Sequence, residues 1–117
     1  MTIEVVPTNL RHLNEVLTLR VEPGRLVFGG EIDVMCEGAF RSAVASEARR
    51  QGGAVTVDLT GIRFLDSGGL TAIYSLSRET DLHLTVEVEE GSLCDRVLLL
   101  SQMDRVVPIS RVSPSEP

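Results

Sequence analysis

One segment of this chain constrains its fold more than any other. In it, a β-branched apolar run is followed by a short polar loop and then by a helical pattern. Residues 54–59 (AVTVDL) are typical of a buried strand, and residues 60–65 predict a turn that returns the chain to the apolar core. The loop at 66–69 has the sequence Asp-Ser-Gly-Gly, and the helical pattern begins directly after it. A strand, a loop and a helix in this order favour an α/β fold.

The helix after this loop is predicted from Leu70, Ile73 and Tyr74, whose spacing gives it one core-facing side. Ser67 therefore falls at or beside the helix N-cap, where its oxygen can accept free backbone N–H groups. Negative charge added at this position would meet the positive end of the helix dipole. The sequence thus predicts that the fold tolerates a phosphate on Ser67.

A hairpin is predicted near the N-terminus. Residues 17–21 and 26–28 are typical of two strands, and residues 22–25 (Glu-Pro-Gly-Arg) place proline and glycine at the central positions of a type II turn. Residues 1–14 mix apolar and turn-forming residues, which leaves two alternatives, a loose arm or an extra strand. The hairpin predicts the opening of a sheet.

Asp33 is predicted as the N-cap of a first helix that ends before Gly52, with Arg49 and Arg50 complementing its negative end. The apolar residues of this helix recur at helical spacing, at Phe40, Ala43, Val44 and Ala48.

The C-terminal part begins with strict alternation over residues 82–88, which predicts a strand with one polar face. Ser92 followed by Asp95 is a capping-box pattern, and it predicts a last helix that ends near Met103. Its apolar residues are Leu93, Val97 and Leu100, and Val106, Val107 and Ile109 predict a short final strand. The order of elements predicts a single α/β domain over residues 15–112, a mixed β-sheet opened by a hairpin with helices packed on it, and a disordered tail at 113–117.

Composition narrows the class of protein. At 117 residues the chain is long enough for one domain, and 43% hydrophobic but only 3% aromatic residues indicate a core of Leu, Val, Ile and Ala. The formal net charge of −6 disfavours nucleic acid and anionic membranes as partners and favours a protein partner. We find no signal peptide and no apolar run of the roughly 20 residues that a membrane span needs, which predicts a cytoplasmic location.

Several other chemistry-bearing residues have simple interpretations. Cys36 and Cys94 match no metal or redox spacing, which indicates buried thiols, with a regulatory disulfide as the alternative. His12 and His83 are expected to be solvated, and Glu87, Glu89 and Glu90 are expected to form a solvated strand edge. The sequence therefore predicts no metal and no cofactor.

The segment at 57–70 (VDLTGIRFLDSGGL) resembles the signature of STAS domains, the family of bacterial anti-sigma factor antagonists. A second match is Gly30-Glu31-Ile32-Asp33, similar to the family's Gly-Glu-Leu-Asp, and the resemblance covers roughly residues 15–112. The chain departs from the family's Asp-Ser-Ser-Gly-Leu at Gly68, so Ser67 is the one hydroxyl of the loop. The resemblance implies a STAS-like fold and phosphorylation of Ser67.

The resemblance also implies a partner-binding role for Asp33 and Asp66, together with Ser67, Gly68 and Gly69. The simpler alternatives are that Ser67 and Asp33 only cap helices and that Asp66 only closes a turn. Gly68 and Gly69 are expected to leave room near the hydroxyl for the backbone of a partner.

The function that follows is that of an anti-sigma factor antagonist without catalytic residues. Unmodified, it would bind an anti-sigma factor that is itself a serine kinase, and phosphorylation would end that binding; a phosphatase is a further candidate partner. One alternative is a docking subunit of a stress-signalling or lipid-transport ATPase complex without a phospho-switch. A Ser-His-Asp hydrolase is disfavoured because Ser67 lies in no Gly-x-Ser-x-Gly motif. The sequence leaves the oligomeric state open.

Overall fold

The computed structural model describes residues 2–5 and 17–114. His12, most of the 1–14 segment and residues 115–117 of the predicted tail lie outside the described residues. The elements are, in chain order, strands β1 (Thr2–Val5), β2 (Leu17–Glu22) and β3 (Arg25–Ile32), helix α1 (Glu37–Arg50), strand β4 (Ala54–Leu65), helix α2 (Ser67–Ser77), strand β5 (His83–Glu89), helix α3 (Leu93–Leu100), a 3-10 turn (Met103–Arg105) and strand β6 (Ile109–Val112).

The described strands form one six-stranded mixed sheet in the order β1-β2-β3-β4-β5-β6. The pairs β1/β2 and β2/β3 are antiparallel, whereas β3/β4, β4/β5 and β5/β6 are parallel. Helices connect the parallel strands, because a parallel pair requires a crossover. The predicted α/β domain with a hairpin-opened mixed sheet is confirmed.

The predicted hairpin is present between β2 and β3. Glu22 pairs with Arg25, which leaves Pro23 and Gly24 as a two-residue turn. Gly24 has φ +74°, a conformation that strains residues with a side chain. Local turn chemistry thus sets the register of β2 against β3.

The core lies between the sheet and helices that cover one of its faces. Along β5, Leu84, Val86 and Val88 are buried while the intervening residues are only partly so, as the alternation predicts. On α1 the buried apolar residues include Phe40, whose ring centroid lies 4.7 Å from that of Phe28 on β3. The predicted apolar face of α1 is therefore confirmed, with Phe40, Val44 and Ala48 buried and Ala43 partly buried against the core.

The predicted turn at residues 60–65 is wrong, because β4 continues to Leu65. The register between β3 and β4 shifts near Gly29 and Gly61, which pair with each other. A Cβ on Gly61 would lie 3.0 Å from the carbonyl oxygen of Phe28, so glycine permits this close approach of two strands. Glycine here belongs to a strand irregularity and not to a turn.

The interpretation of two helix faces also needs correction. On α2, Ile73 is buried but Tyr74 is exposed, and Ala72 and Leu76 complete the core side. On α3, which begins as predicted with Ser92 as N-cap, the buried apolar residues are Cys94 and Leu98. The predicted core residues Leu93 and Leu100 are exposed, and α3 ends at Leu100 and not near Met103. Both short helices carry apolar residues on more than one side, so spacing alone did not identify the face that packs.

Glu87 is not on a solvated edge, because β5 lies between β4 and β6. It pairs across the strands with Asp58, and Arg25 from β3 bridges the two carboxylates, with N–O distances of 2.9 Å to each. The hydrogen bond that Arg25 donates to Glu87 is the main reason that the pKa of Arg25 is raised above its usual value. This cluster lies on the polar face of the sheet. It joins Arg25 to Asp58, which follows it by 33 positions in the sequence, and to Glu87, which follows it by 62.

The predicted final strand is present as β6, although Val106 and Val107 precede it. Cys36 and Cys94 are buried and are not joined in a disulfide, and burial raises the pKa of the Cys94 thiol to about 11. At that pKa the Cys94 thiol is protonated near neutral pH and is a poor nucleophile.

Asp95, at the start of α3, stabilises the folded protein in a way that is lost in acid. Its carboxylate accepts hydrogen bonds from the Gly91 N–H and from Arg111 Nε, both at 2.8 Å, and the Gly91 bond is the main cause that lowers its pKa below 3.8. A lowered pKa in the folded state stabilises the protein above pH 3.8, and this contribution is lost as the pH falls through the folded value.

We therefore expect Asp95→Asn to be less stable than the parent at neutral pH, with the difference shrinking below about pH 4. Urea unfolding at pH 7, 5, 4 and 3 measures the free energy of unfolding of both proteins. A difference that stays constant over this range would contradict the role of Asp95.

Candidate functional site

The candidate site lies where the parallel strands β3 and β4 end side by side. Ile32 pairs with Leu65, and the Asp66 N–H donates to the Ile32 carbonyl at 3.2 Å. Each strand is followed by an aspartate, Asp33 after β3 and Asp66 after β4. The topology therefore brings the two family-like segments to one edge of the sheet, which is where open α/β sheets form binding sites.

Asp66 connects the two loops at this edge. It is the N-cap of α2, and its Oδ1 accepts hydrogen bonds from the backbone N–H groups of Gly68 (2.8 Å) and Gly69 (3.3 Å). Its Oδ2 accepts from the Val34 N–H of the β3–α1 loop at 3.3 Å. The carboxylate thus holds the start of α2 against the loop that follows β3.

Ser67 is the first residue of α2, beside the cap as predicted, but its hydroxyl does not cap the helix, because the Asp66 carboxylate takes that role. The side chain is exposed, and no other described residue makes a hydrogen bond with the hydroxyl. Thr71 donates to the backbone carbonyl of Ser67 at 2.8 Å, which leaves the Ser67 hydroxyl unaffected. A free hydroxyl is therefore presented to solvent at the positive end of the α2 dipole.

Asp33 is not the N-cap of α1, which begins at Glu37 with Cys36 as N-cap. The side chain of Asp33 is buried, and its Oδ1 accepts from the N–H groups of Met35 (2.9 Å) and Cys36 (3.2 Å). Asp33 closes the turn that precedes α1. Its carboxylate accepts from the N–H groups two and three residues later, as an N-cap side chain would, but the helix itself begins only at Glu37. Asp33 fixes the shape of the β3–α1 loop beside Asp66.

Gly68 and Gly69 are buried on the core side of α2. A Cβ on Gly68 would lie 2.6 Å from Val34 Cα and 2.9 Å from Val34 N, and a Cβ on Gly69 would collide with the Leu65 side chain. The room expected for a partner's backbone is therefore occupied by this chain. The two glycines allow the β3–α1 loop and the end of β4 to approach the first turn of α2.

Two exposed apolar side chains beside these loops were not predicted. Val34 is 65% exposed although its backbone contacts Asp66 and Gly68, and Phe64, two residues before Asp66, is also exposed. Next to Phe64, Arg63 lies 3.7 Å from Glu31 of β3. In the sequence, Val34 directly follows Asp33, and Phe64 lies two residues before Asp66. An apolar residue at either position is typical of the core, so its exposure becomes evident only once the ends of the strands are known.

The described residues contain no group of three or more His, Cys, Asp or Glu side chains arranged to hold a metal ion. Among the helices of the described part, none has the length and apolar character needed to cross a membrane. Among the described residues, no side chain forms a hydrogen bond with the Ser67 hydroxyl.

Comparison with known proteins identifies the fold. A family model for the STAS domain matches residues 15–88, which include both strand ends and the Ser67 loop. The chain belongs to the STAS domain family. No curated protein matches it in a sequence search.

Among solved structures, this STAS domain is similar to an anti-sigma factor antagonist from Mycobacterium paratuberculosis. The TM-score is 0.65 at 18% sequence identity, and the match covers 94% of this chain and 86% of the other. At that identity the likeness shows a shared fold.

Proposed function

We propose that this STAS domain is an anti-sigma factor antagonist controlled by phosphorylation of Ser67. Unphosphorylated, it binds an anti-sigma factor and so frees a sigma factor for transcription. The anti-sigma factor is the serine kinase, so this chain is its substrate and not an enzyme, and a phosphatase restores the binding form. Such a role places the protein in the cytoplasm.

The observation that carries the proposal is the free Ser67 hydroxyl at the N-terminus of α2, within the part of the chain that matches the family. Other nearby hydroxyls are engaged: that of Thr71 donates to the Ser67 carbonyl, and that of Ser77 donates to the Tyr74 carbonyl at 2.6 Å. The Ser75 hydroxyl makes no hydrogen bond with a described residue either, but Ser75 is only partly exposed, so Ser67 is the exposed serine of this helix whose hydroxyl is unengaged.

Asp33 and Asp66 support the proposal as positioning residues. Each uses its carboxylate to fix backbone around the site, Asp33 in the β3–α1 loop and Asp66 at the start of α2. A partner that docks over Ser67 meets both loops, with Val34 as an exposed apolar side chain beside them. Gly68 and Gly69 contribute by bringing the two loops together.

The test is phosphorylation with ATP, magnesium and the anti-sigma kinase, followed by mass spectrometry. We expect one phosphate, on the peptide that contains Ser67, and none in Ser67→Ala. Thr71→Ala is the matched control, because it removes a hydroxyl one turn later on the same helix and should leave phosphorylation unchanged.

Phosphorylation of Ser67→Ala to the parent's extent would refute the assignment of the site. A kinase that binds the parent without modifying it would favour the docking subunit of a stress-signalling or transport complex over the phospho-switch.

A further inference from the structure

Helix α1 carries a buried carboxylate that the Ser67 site does not use. Glu47 is only 3% exposed, and its Oε2 accepts from the Gly24 N–H of the β2–β3 hairpin at 3.4 Å and from Gln51 Nε2 at 3.2 Å. Its Oε1 is buried and accepts no hydrogen bond from any described residue. A buried acceptor without a donor is costly, which indicates a place for a further donor.

Glu47 lines a groove between α1 and the β2–β3 hairpin. The groove has a volume of about 150 Å³, and its apolar walls are Leu19 and Val21 of β2, Leu26 of β3 and Ala43 of α1. This volume is roughly what one benzene ring requires in an apolar cavity. The groove therefore combines a small apolar space with one carboxylate at its edge.

The group that now faces Glu47 Oε1 is the exposed guanidinium of Arg50. Arg50 Nη2 lies 3.3 Å from Oε1 as an ion pair without hydrogen-bond geometry, and the Arg50 side chain is 68% exposed. Only the Arg50 side of this i,i+3 pair is exposed, since the Glu47 carboxylate is buried. Arg50 can therefore turn into solvent when another cation takes its place beside Oε1 and keeps the buried carboxylate paired.

We propose that this groove binds a small primary amine. The hydrocarbon part of the ligand lies against Leu19, Leu26 and Ala43, and its ammonium group donates to Glu47 Oε1 in place of Arg50. The chemistry of the site selects this class, because a buried carboxylate favours a cationic donor and the walls favour a compact apolar body. The net charge of −6 also attracts cations to the protein. The groove is formed by residues other than those of the Ser67 site, so this proposal does not depend on the proposed function.

Methyl NMR titration of the unphosphorylated protein with benzylamine and with its neutral isostere benzyl alcohol tests the proposal. We expect benzylamine to shift the methyl signals of Leu19, Val21, Leu26 and Ala43 and to bind about tenfold more tightly than the alcohol, as a charged hydrogen bond implies. Glu47→Gln keeps the shape of the side chain and should remove this preference. Thermal melting checks that the variant is folded.

Two arginine variants separate a specific site from general attraction. Arg50→Ala removes the competing cation and should tighten benzylamine binding, whereas Arg41→Ala removes the same charge from α1 outside the groove and should not. Both residues are exposed, so neither variant should unfold the protein. Equal effects of the two variants, equal binding of amine and alcohol, or no shift at the groove methyls would each overturn the proposal.

Discussion

Ser67→Asp is expected to weaken binding to the anti-sigma partner at least about tenfold, while Ser67→Ala binds like the parent. A carboxylate at position 67 would be covered by the docked partner beside Asp66, and burying an unmatched charge costs several kcal/mol as an order of magnitude. A phosphate, with roughly −1.5 to −2 charges, should have a larger effect.

The fold should tolerate the same change. Residue 67 is exposed in the first turn of α2, where the helix dipole favours negative charge by about 0.3–1 kcal/mol. The repulsion from Asp66 is reduced because its carboxylate accepts from the N–H groups of Gly68, Gly69 and Val34. Calorimetric titration gives the affinity, and thermal unfolding should differ little between the variants.

Ser113→Asp is the matched control for net charge, because Ser113 is exposed and lies outside the site loops. It should bind the partner like the parent. Equal affinity of Ser67→Asp and Ser113→Asp would show that the Ser67 loop is not the contact surface.

The second large effect is expected for Gly68→Ala, which should destabilise the protein by about 1–3 kcal/mol. The new Cβ would lie within 3 Å of the Val34 backbone, so the β3–α1 loop must move away from α2. Alanine is the better helix former by about 1 kcal/mol, which offsets part of this cost. The chain departs from the family's Asp-Ser-Ser-Gly-Leu at this position, and the close approach of Val34 supplies a physical reason.

Gly38→Ala is the control, because Gly38 lies in the first turn of α1 and a Cβ there would meet no atom within 4 Å. It should leave stability unchanged or raise it by up to about 1 kcal/mol. Urea unfolding measures both, and the amide signal of Val34 should shift only in Gly68→Ala. If both variants were equally stable and the Val34 amide did not move, the loop would not be held as tightly as the contact implies.

The sequence alone determined those features that depend on near neighbours. The two-residue hairpin turn follows from Pro23 and Gly24, the buried face of β5 from strict alternation, and the start of α3 from Ser92. Each is decided by interactions among residues no more than about four positions apart, which a local pattern records.

The family motifs likewise assigned Asp33 and Ser67 to one partner-binding role, through resemblance and not through spacing. The motifs did not predict which residue caps α2 and which residue presents the free hydroxyl. Ser67 was expected at or beside the N-cap of α2, and it lies beside it; the cap itself is Asp66, which also bonds to Val34, 32 residues earlier in the chain. That bond exists because β3 and β4 are parallel neighbours that end together, which is a property of the sheet.

Tertiary structure alone decided which side of α3 is buried, how far β4 extends and where Arg25 finds its partners. Leu100 is 84% exposed although it continues an apolar helical spacing, because the sheet contacts the side that carries Cys94 and Leu98. The groove at Glu47 likewise requires α1 to lie against the β2–β3 hairpin. Contacts between distant segments depend on the packing of whole elements, and local periodicity carries no information about which elements meet.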